Sequence, residues 1–145
     1  MLTSFNHTGI VVQDIDAMVE FYTGKLGLRV TDRYETDAGD RRDHTGISGA
    51  RRVLVFLQLG DGGHMLELVH YLEPAASDGH LDKHQLGAGH ICWLVDDLRA
   101  VHERLSADGV PFVTDPVFSR TDDGSEWGVV YFQDPEGNWL ELIEA

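Results

Sequence analysis

The chain repeats itself. His7-Thr-Gly-Ile-Val-Val-Gln-Asp-Ile-Asp-Ala aligns with His90-Ile-Cys-Trp-Leu-Val-Asp-Asp-Leu-Arg-Ala at a constant offset of 83, matching His7 with His90, Val12 with Val95, Asp14 with Asp97 and Ala17 with Ala100. The ends of the copies agree too. Phe56-Leu-Gln-Leu-Gly-Asp-Gly-Gly-His-Met-Leu-Glu-Leu resembles Tyr131-Phe-Gln-Asp-Pro-Glu-Gly-Asn-Trp-Leu-Glu-Leu apart from one turn residue, which places Glu67 and Glu141 at equivalent positions. A repeat fixes architecture before any local propensity is weighed, because each copy must form the same unit.

Each copy predicts a strand that ends at an aspartate, then a helix, then three strands. Asp14 and Asp97 stand where a carboxylate can accept the free amide hydrogens of a first helical turn. Gly24 or Gly27 in one copy and Gly109 in the other can take the left-handed conformation that stops a helix. Apolar strands are expected next, Leu28-Arg-Val and Val110-Pro-Phe-Val, and each copy closes with a hairpin, turned at Asp61-Gly62-Gly63 and at Asp134-Pro-Glu-Gly137. The fold class is therefore α+β, two tandem βαβββ modules within a single domain over 1–145. The first module covers about 1–72, a polar, breaker-rich linker about 73–87, and the second module about 88–145. Irregular stretches at about 36–51 and 119–128 interrupt the copies at corresponding places, as loops over one cleft would.

Composition narrows the partners. With 42% hydrophobic and 25% charged residues the chain should bury an ordinary globular core. Its formal net charge of −14 sets up a field that repels phosphate backbones and anionic lipid, so nucleic acid and membrane surfaces are not expected partners. One basic stretch, Arg41, Arg42, Arg51 and Arg52, can meet an anionic group on a small substrate; the commoner fate of such charges is a solvated loop. Cys92 is the only cysteine, which rules out an internal disulfide and suggests a buried small hydrophobe. The N-terminus lacks a signal-like apolar run and nothing approaches a membrane span, so the cytoplasm is the expected location.

The chemistry lies in four residues. Glu67 and Glu141 interrupt apolar strands, where an unpaired carboxylate would cost several kcal/mol and needs a compensating partner. His7 and His90 open the first strand of each copy, in the same relation to their own glutamates. Pseudo-twofold packing of the copies would bring all four together, and two imidazole nitrogens with two carboxylate oxygens suit a first-row divalent ion with water completing five or six coordination. A single strand histidine or glutamate is more often a core or surface residue; core packing does not explain their recurrence at matched positions. His44, His64, His80 and His84 fall in loops or turns, and His102 on an exposed helix face. Strand alternation turns His70 away from Glu67.

These motifs resemble the vicinal oxygen chelate superfamily of glyoxalases, epimerases and extradiol dioxygenases. The carriers are His7-Thr-Gly-Ile-Val-Val-Gln-Asp-Ile, Phe21-Tyr-Thr-Gly-Lys-Leu-Gly-Leu, Met65-Leu-Glu-Leu, Gly89-His-Ile-Cys-Trp-Leu-Val-Asp-Asp-Leu and Phe132-Gln-Asp-Pro-Glu-Gly-Asn-Trp-Leu-Glu-Leu-Ile-Glu. The resemblance implies a cupped, U-shaped mixed sheet and places the family's metal positions on His7, Glu67, His90 and Glu141, with zinc, nickel, cobalt, manganese or iron as the ion. It implies a small-molecule carbonyl substrate and a homodimer, the paired modules lying within a chain or across subunits. The expected reaction is proton abstraction beside a carbonyl through an enolate or enediolate, with Glu67 or Glu141 as the base. An epimerase acting on a cyclitol ketone or an acyl-CoA comes first. A glyoxalase I-like lyase, a ligand-sequestering resistance protein and an extradiol dioxygenase are the alternatives. Glu67 stands where methylmalonyl-CoA epimerase usually has glutamine, which weakens the CoA reading.

Overall fold

The computed structural model describes residues 1–77 and 79–145, which divide into two compact units, Met1–Asp78 and Gly79–Ala145. The first contains β1 (His7–Val12), α1 (Ile15–Gly24), β2 (Arg29–Asp37), β3 (Arg51–Gln58) and β4 (Met65–Glu73). The second contains β5 (His90–Leu94), α2 (Leu98–Ala107), β6 (Val117–Arg120), β7 (Glu126–Gln133) and β8 (Trp139–Glu144). Both realise the βαβββ order predicted from the repeat.

The sheets have the same connectivity. Strand order is β1-β4-β3-β2 in one unit and β5-β8-β7-β6 in the other, the first strand running parallel to the last and the remaining pairs antiparallel. Parallel neighbours need a crossover, which the helix and two strands between them supply. The last strand thus becomes an inner strand, bonded on both sides, and its side chains are held in register by two neighbours.

The helices begin where the aspartates predict. The Asp14 side chain accepts from the Ala17 amide at 3.0 Å, and the Asp97 side chain from the Ala100 amide at 2.9 Å. Gly27, with φ of 78°, and Gly109, with φ of 82°, turn the chain out of each helix. Helix α1 packs on β2, β3 and β4, and Met18, Tyr22, Val55, Leu57 and Leu68 are sealed from solvent. In the second unit α2 packs on β8, and Leu98, Leu105, Phe132 and Leu140 are fully buried. Each such side chain contributes roughly 1.5–3 kcal/mol by leaving water.

Within the fold the structure departs from the sequence reading at Val110–Val113, at 119–128 and at His102. Val110–Val113 forms no strand; Phe112 makes one isolated bridge to Phe132, and the strand starts only at Val117. Pro111 and Pro116 lack the amide hydrogens a ladder needs. Half of the stretch at 119–128 is strand, the end of β6 and the start of β7 joined by a tight turn in which the Thr121 amide donates to Ser125 O at 2.9 Å. His102 is half-buried rather than exposed, its ring 4.4 Å from that of Phe112.

Gly128 allows close packing in the second unit. A Cβ built there would lie 2.6 Å from the Phe118 ring and 2.9 Å from Leu98 Cδ2. Gly128→Ala should therefore destabilise the protein by about 1–3 kcal/mol through overpacking, read as a lowered urea midpoint. Asp97→Ala, which removes only a cap, should cost about 1 kcal/mol. A Gly128→Ala midpoint equal to wild type would contradict the packing described.

Candidate metal centre

Strand parity and register build the same pair in each unit. In the first, Gly9 lies opposite Glu67 across the parallel β1–β4 ladder, so His7, two residues before Gly9, shares a sheet face with Glu67. His7 Nε2 stands 3.3 Å from Glu67 Oε2. In the second, Cys92 lies opposite Glu141, His90 is again two residues earlier, and His90 Nε2 stands 3.3 Å from Glu141 Oε2. The separations agree because the ladders agree.

Both carboxylates sit deeper than their histidines. Side-chain exposure is 17% for Glu67 and 11% for Glu141, against 38% for His7 and 46% for His90. The imidazoles thus form an accessible rim over carboxylates set into the sheet. Two ligands, each about 2.0–2.2 Å from one ion and set near a right angle, stand about 3 Å apart. The spacing within each pair fits shared coordination, with the Nε2 and Oε2 atoms as donors. Among the described residues no group of three or more histidine, cysteine, aspartate or glutamate side chains is arranged to hold a metal ion, so each unit presents a two-residue pair.

The antiparallel neighbour supplies an aromatic ring in each case. Phe56 pairs with Glu67 and its ring meets that of His7 edge-on at 5.6 Å; Tyr131 pairs with Glu141 and meets His90 edge-on at 5.2 Å. The rings fix the plane of each imidazole by packing. Their difference is chemical. The Tyr131 hydroxyl lies 3.3 Å from His90 Nε2 and stands near the Glu141 carboxylate, whereas Phe56 has no polar group to offer Glu67.

Cys92 adds to this asymmetry. The residue is exposed, contrary to the expectation of a buried hydrophobe; its thiol donates to the Trp93 carbonyl at 3.9 Å, and the Glu141 carboxylate acts on it as a neighbouring charge. Burial around the sulfur, and next the Glu141 carboxylate, push the Cys92 thiol up to about 12. Burial and the same carboxylate also raise Tyr131 above the usual phenol value. Both groups stay protonated at neutral pH beside the Glu141 charge. At the matching position in the first unit, Gly9 leaves room for Glu67 itself, since a Cβ there would stand 2.9 Å from Glu67 Oε2.

The sequence singled out all four members of the two pairs and missed Tyr131 and Cys92 as partners of Glu141. The Phe56/Tyr131 and Gly9/Cys92 equivalences were present in the aligned repeats; what was lacking was the register that sets them beside the glutamates. His70 faces away from Glu67, as alternation requires, and its Nδ1 lies 3.2 Å from the Val12 carbonyl. His64 is exposed at a turn, with Nε2 2.6 Å from the Thr8 hydroxyl. No helix among the described residues is long and apolar enough to cross a membrane.

Comparison with known proteins follows the same lines. The lactoylglutathione lyase of Pseudomonas putida is 32% identical over 163 residues, covering 97% of this chain and 84% of that protein. The lactoylglutathione lyase of Schizosaccharomyces pombe is 29% identical over 97% of this chain, which spans only 44% of its length. A glyoxalase family protein from Bacillus cereus shares the fold with a TM-score of 0.86 at 22% identity, covering 99% of this chain and 95% of that one. Residues 4–142 match the family description Glyoxalase/Bleomycin resistance protein/Dioxygenase superfamily, and the chain belongs to that superfamily.

Proposed function

We propose that this protein is a divalent-metal-dependent enzyme that moves a proton on a carbon beside a carbonyl, and that its substrate is a hemithioacetal of a 2-oxoaldehyde, as in a lactoylglutathione lyase. The observation that carries the reading is the pair of equivalent His–Glu contacts, 3.3 Å in each unit, one set of donors written twice. His7, Glu67, His90 and Glu141 together would hold one ion, within a chain or across a homodimer. Such an ion supplies Lewis-acid stabilisation of the oxyanion that develops as the proton leaves, a contribution of several kcal/mol.

The protein's own groups handle the proton. Glu67 or Glu141 takes it from the carbon bearing the hydroxyl and the thioether and it returns to the neighbouring carbon, while the hydroxyl proton passes from the first oxygen to the second, converting the hemithioacetal to a 2-hydroxy thioester with no net gain or loss of atoms. Phe56 and Tyr131 pack against the imidazoles and limit their rotation. The Tyr131 hydroxyl and Cys92 thiol stand near Glu141 and stay protonated at neutral pH. The lyase reading is preferred to the epimerase because Glu67 completes a two-carboxylate set and because relatives bearing the lyase name match nearly the whole chain.

The test is metal analysis of the purified protein followed by solvent deuterium entry into three probes: methylglyoxal–glutathione hemithioacetal, an acyl-CoA and a cyclitol ketone. Stoichiometric metal and turnover of the hemithioacetal are expected, and Glu67→Gln or Glu141→Gln should slow exchange about 100-fold or more, the usual scale of acid–base catalysis. Exchange only with a ketone or acyl-CoA would move the assignment to the epimerases. Binding without exchange would identify a sequestering protein, oxygen uptake a dioxygenase, and undiminished exchange in both variants would remove the carboxylates from the chemistry.

The geometry around Glu141 has a separate chemical readout. With its thiol at about 12, Cys92 in metal-free protein should react with iodoacetamide at pH 8 on the order of 100-fold or more slower than a free thiol, whose ordinary value is about 8.5. The rate should climb as pH rises toward about 12, where the thiolate forms. Glu141→Gln should speed the reaction at pH 8 by removing the adjacent charge; alkylation as fast as that of free cysteine in the unaltered protein would contradict the geometry.

A further inference from the structure

The sheet face that carries His7 and Glu67 continues to a second polar site. Following the register away from Glu67 and Phe56, the next residues on that face are Val69, Leu54 and Tyr34, and beyond them Tyr71, Arg52 and Thr36. Arg52 and Tyr71 lie four residues along their strands from Phe56 and Glu67, about 13 Å at the strand rise. The span between is apolar: Leu54 and Val69 are buried, and Tyr34 stacks on Phe56 at 6.2 Å.

At its far end Arg52 belongs to no solvated loop. It is 4% exposed on β3, its guanidinium 5.6 Å from the Tyr71 ring centroid. It borders a cavity of about 350 Å³ lined also by Thr36, Arg41, Arg42, Asp43 and His44. Asp43 Oδ2 lies 2.7 Å from Arg52 Nη2, an ion pair without hydrogen-bond alignment, and Arg52 Nε and Thr36 Oγ1 are buried with no hydrogen-bond partner. Buried polar atoms left in this state are rare and point to an absent water, ion or ligand.

The charges around the cavity do not balance within the protein. Asp43 is engaged by Arg52 and by Thr45, whose hydroxyl and amide donate to it at 2.5 and 2.8 Å. Asp37, which also borders the cavity, faces Arg51 at 3.6 Å. Arg41 and Arg42 have no ion-pair partner among the described residues. Two free guanidiniums beside a third that is buried and incompletely bonded form a seat for an anionic oxygen group, and guanidinium forks match carboxylate and phosphate geometry.

We infer that Arg41, Arg42 and Arg52 form an anion subsite that takes a carboxylate or phosphate on the distal end of the substrate. This rests on the proposed carbonyl chemistry at His7 and Glu67 and adds the substrate class: a carbonyl compound whose anionic group stands about 13 Å along the strand direction from the reacting end, across an apolar middle.

The test uses the full chain, stripped of metal with EDTA, in thermal unfolding at pH 7.5 and constant ionic strength. Inorganic phosphate or glutarate at tens of millimolar should raise the midpoint saturably by roughly 2–8 °C, as ligands that bind only the folded state do. The double variant Arg41→Gln, Arg42→Gln alters exposed side chains and should fold normally, losing most of that rise. A rise with phosphate alone selects a phosphoryl group, and with glutarate alone a carboxylate. The inference is overturned if neither anion exceeds sodium chloride at equal ionic strength, or if the double variant responds like the wild type. Because no metal is present, this result is independent of whether His7 and Glu67 bind one.

Discussion

The parallel pairing of first and last strand is the constraint on which the rest of each unit depends. It sets Gly9 opposite Glu67 and Cys92 opposite Glu141, and with them the histidines two residues back on the same face. Because side chains alternate, a slip of one residue would send each glutamate to the face covered by the helix. That face is filled by residues such as Val55, Leu57 and Leu68 in the first unit, so the slip would bury a carboxylate and expose apolar side chains together. The core thereby holds the site in register without touching it.

Duplication makes the two pairs alike, and two substitutions make them unequal. Where the first unit has Gly9 and Phe56, the second has Cys92 and Tyr131. Glu141 has the more buried side chain of the two carboxylates and stands near a hydroxyl and a thiol, where the matching residues beside Glu67 are a phenyl ring and a glycine. A carboxylate beside protonated polar neighbours is better compensated than one beside a phenyl ring and a glycine. The two pairs therefore differ in their surroundings, although their donor atoms are equally spaced.

How much of this was legible in the sequence depended on what the repeat encodes. Aligned positions carried the sequence of elements in each unit, the Asp14 and Asp97 caps, the last strands and the members of both pairs, because each copy tests the other. Features present in one copy were misread. The Val110–Val113 run looked like a strand until its prolines were set against the ladder, and His102 looked exposed because helical spacing says nothing of Phe112 beneath it. Cys92 followed the average for cysteine and not its place beside a glutamate. Arg52 was read with its loop neighbours, yet β3 begins at Arg51, and alternation then turns Arg52 onto the face of Phe56. Side-chain direction changes at the loop–strand boundary, which composition does not mark.

The overall charge bears on the arginine cavity in the opposite sense to the one it first suggests. A net charge of −14 disfavours anions at long range, but at physiological salt that field decays within about 8 Å. An anionic substrate reaching this surface thus responds to the groups it touches, and Arg41 and Arg42 are exposed beside the buried Arg52. Asp43 prevents Arg52 from being an isolated buried charge, and Thr45 holds the Asp43 carboxyl below its ordinary range, so the pair stays ionised. Three guanidiniums can then be kept together in an acidic protein, because one is neutralised from within and two face solvent.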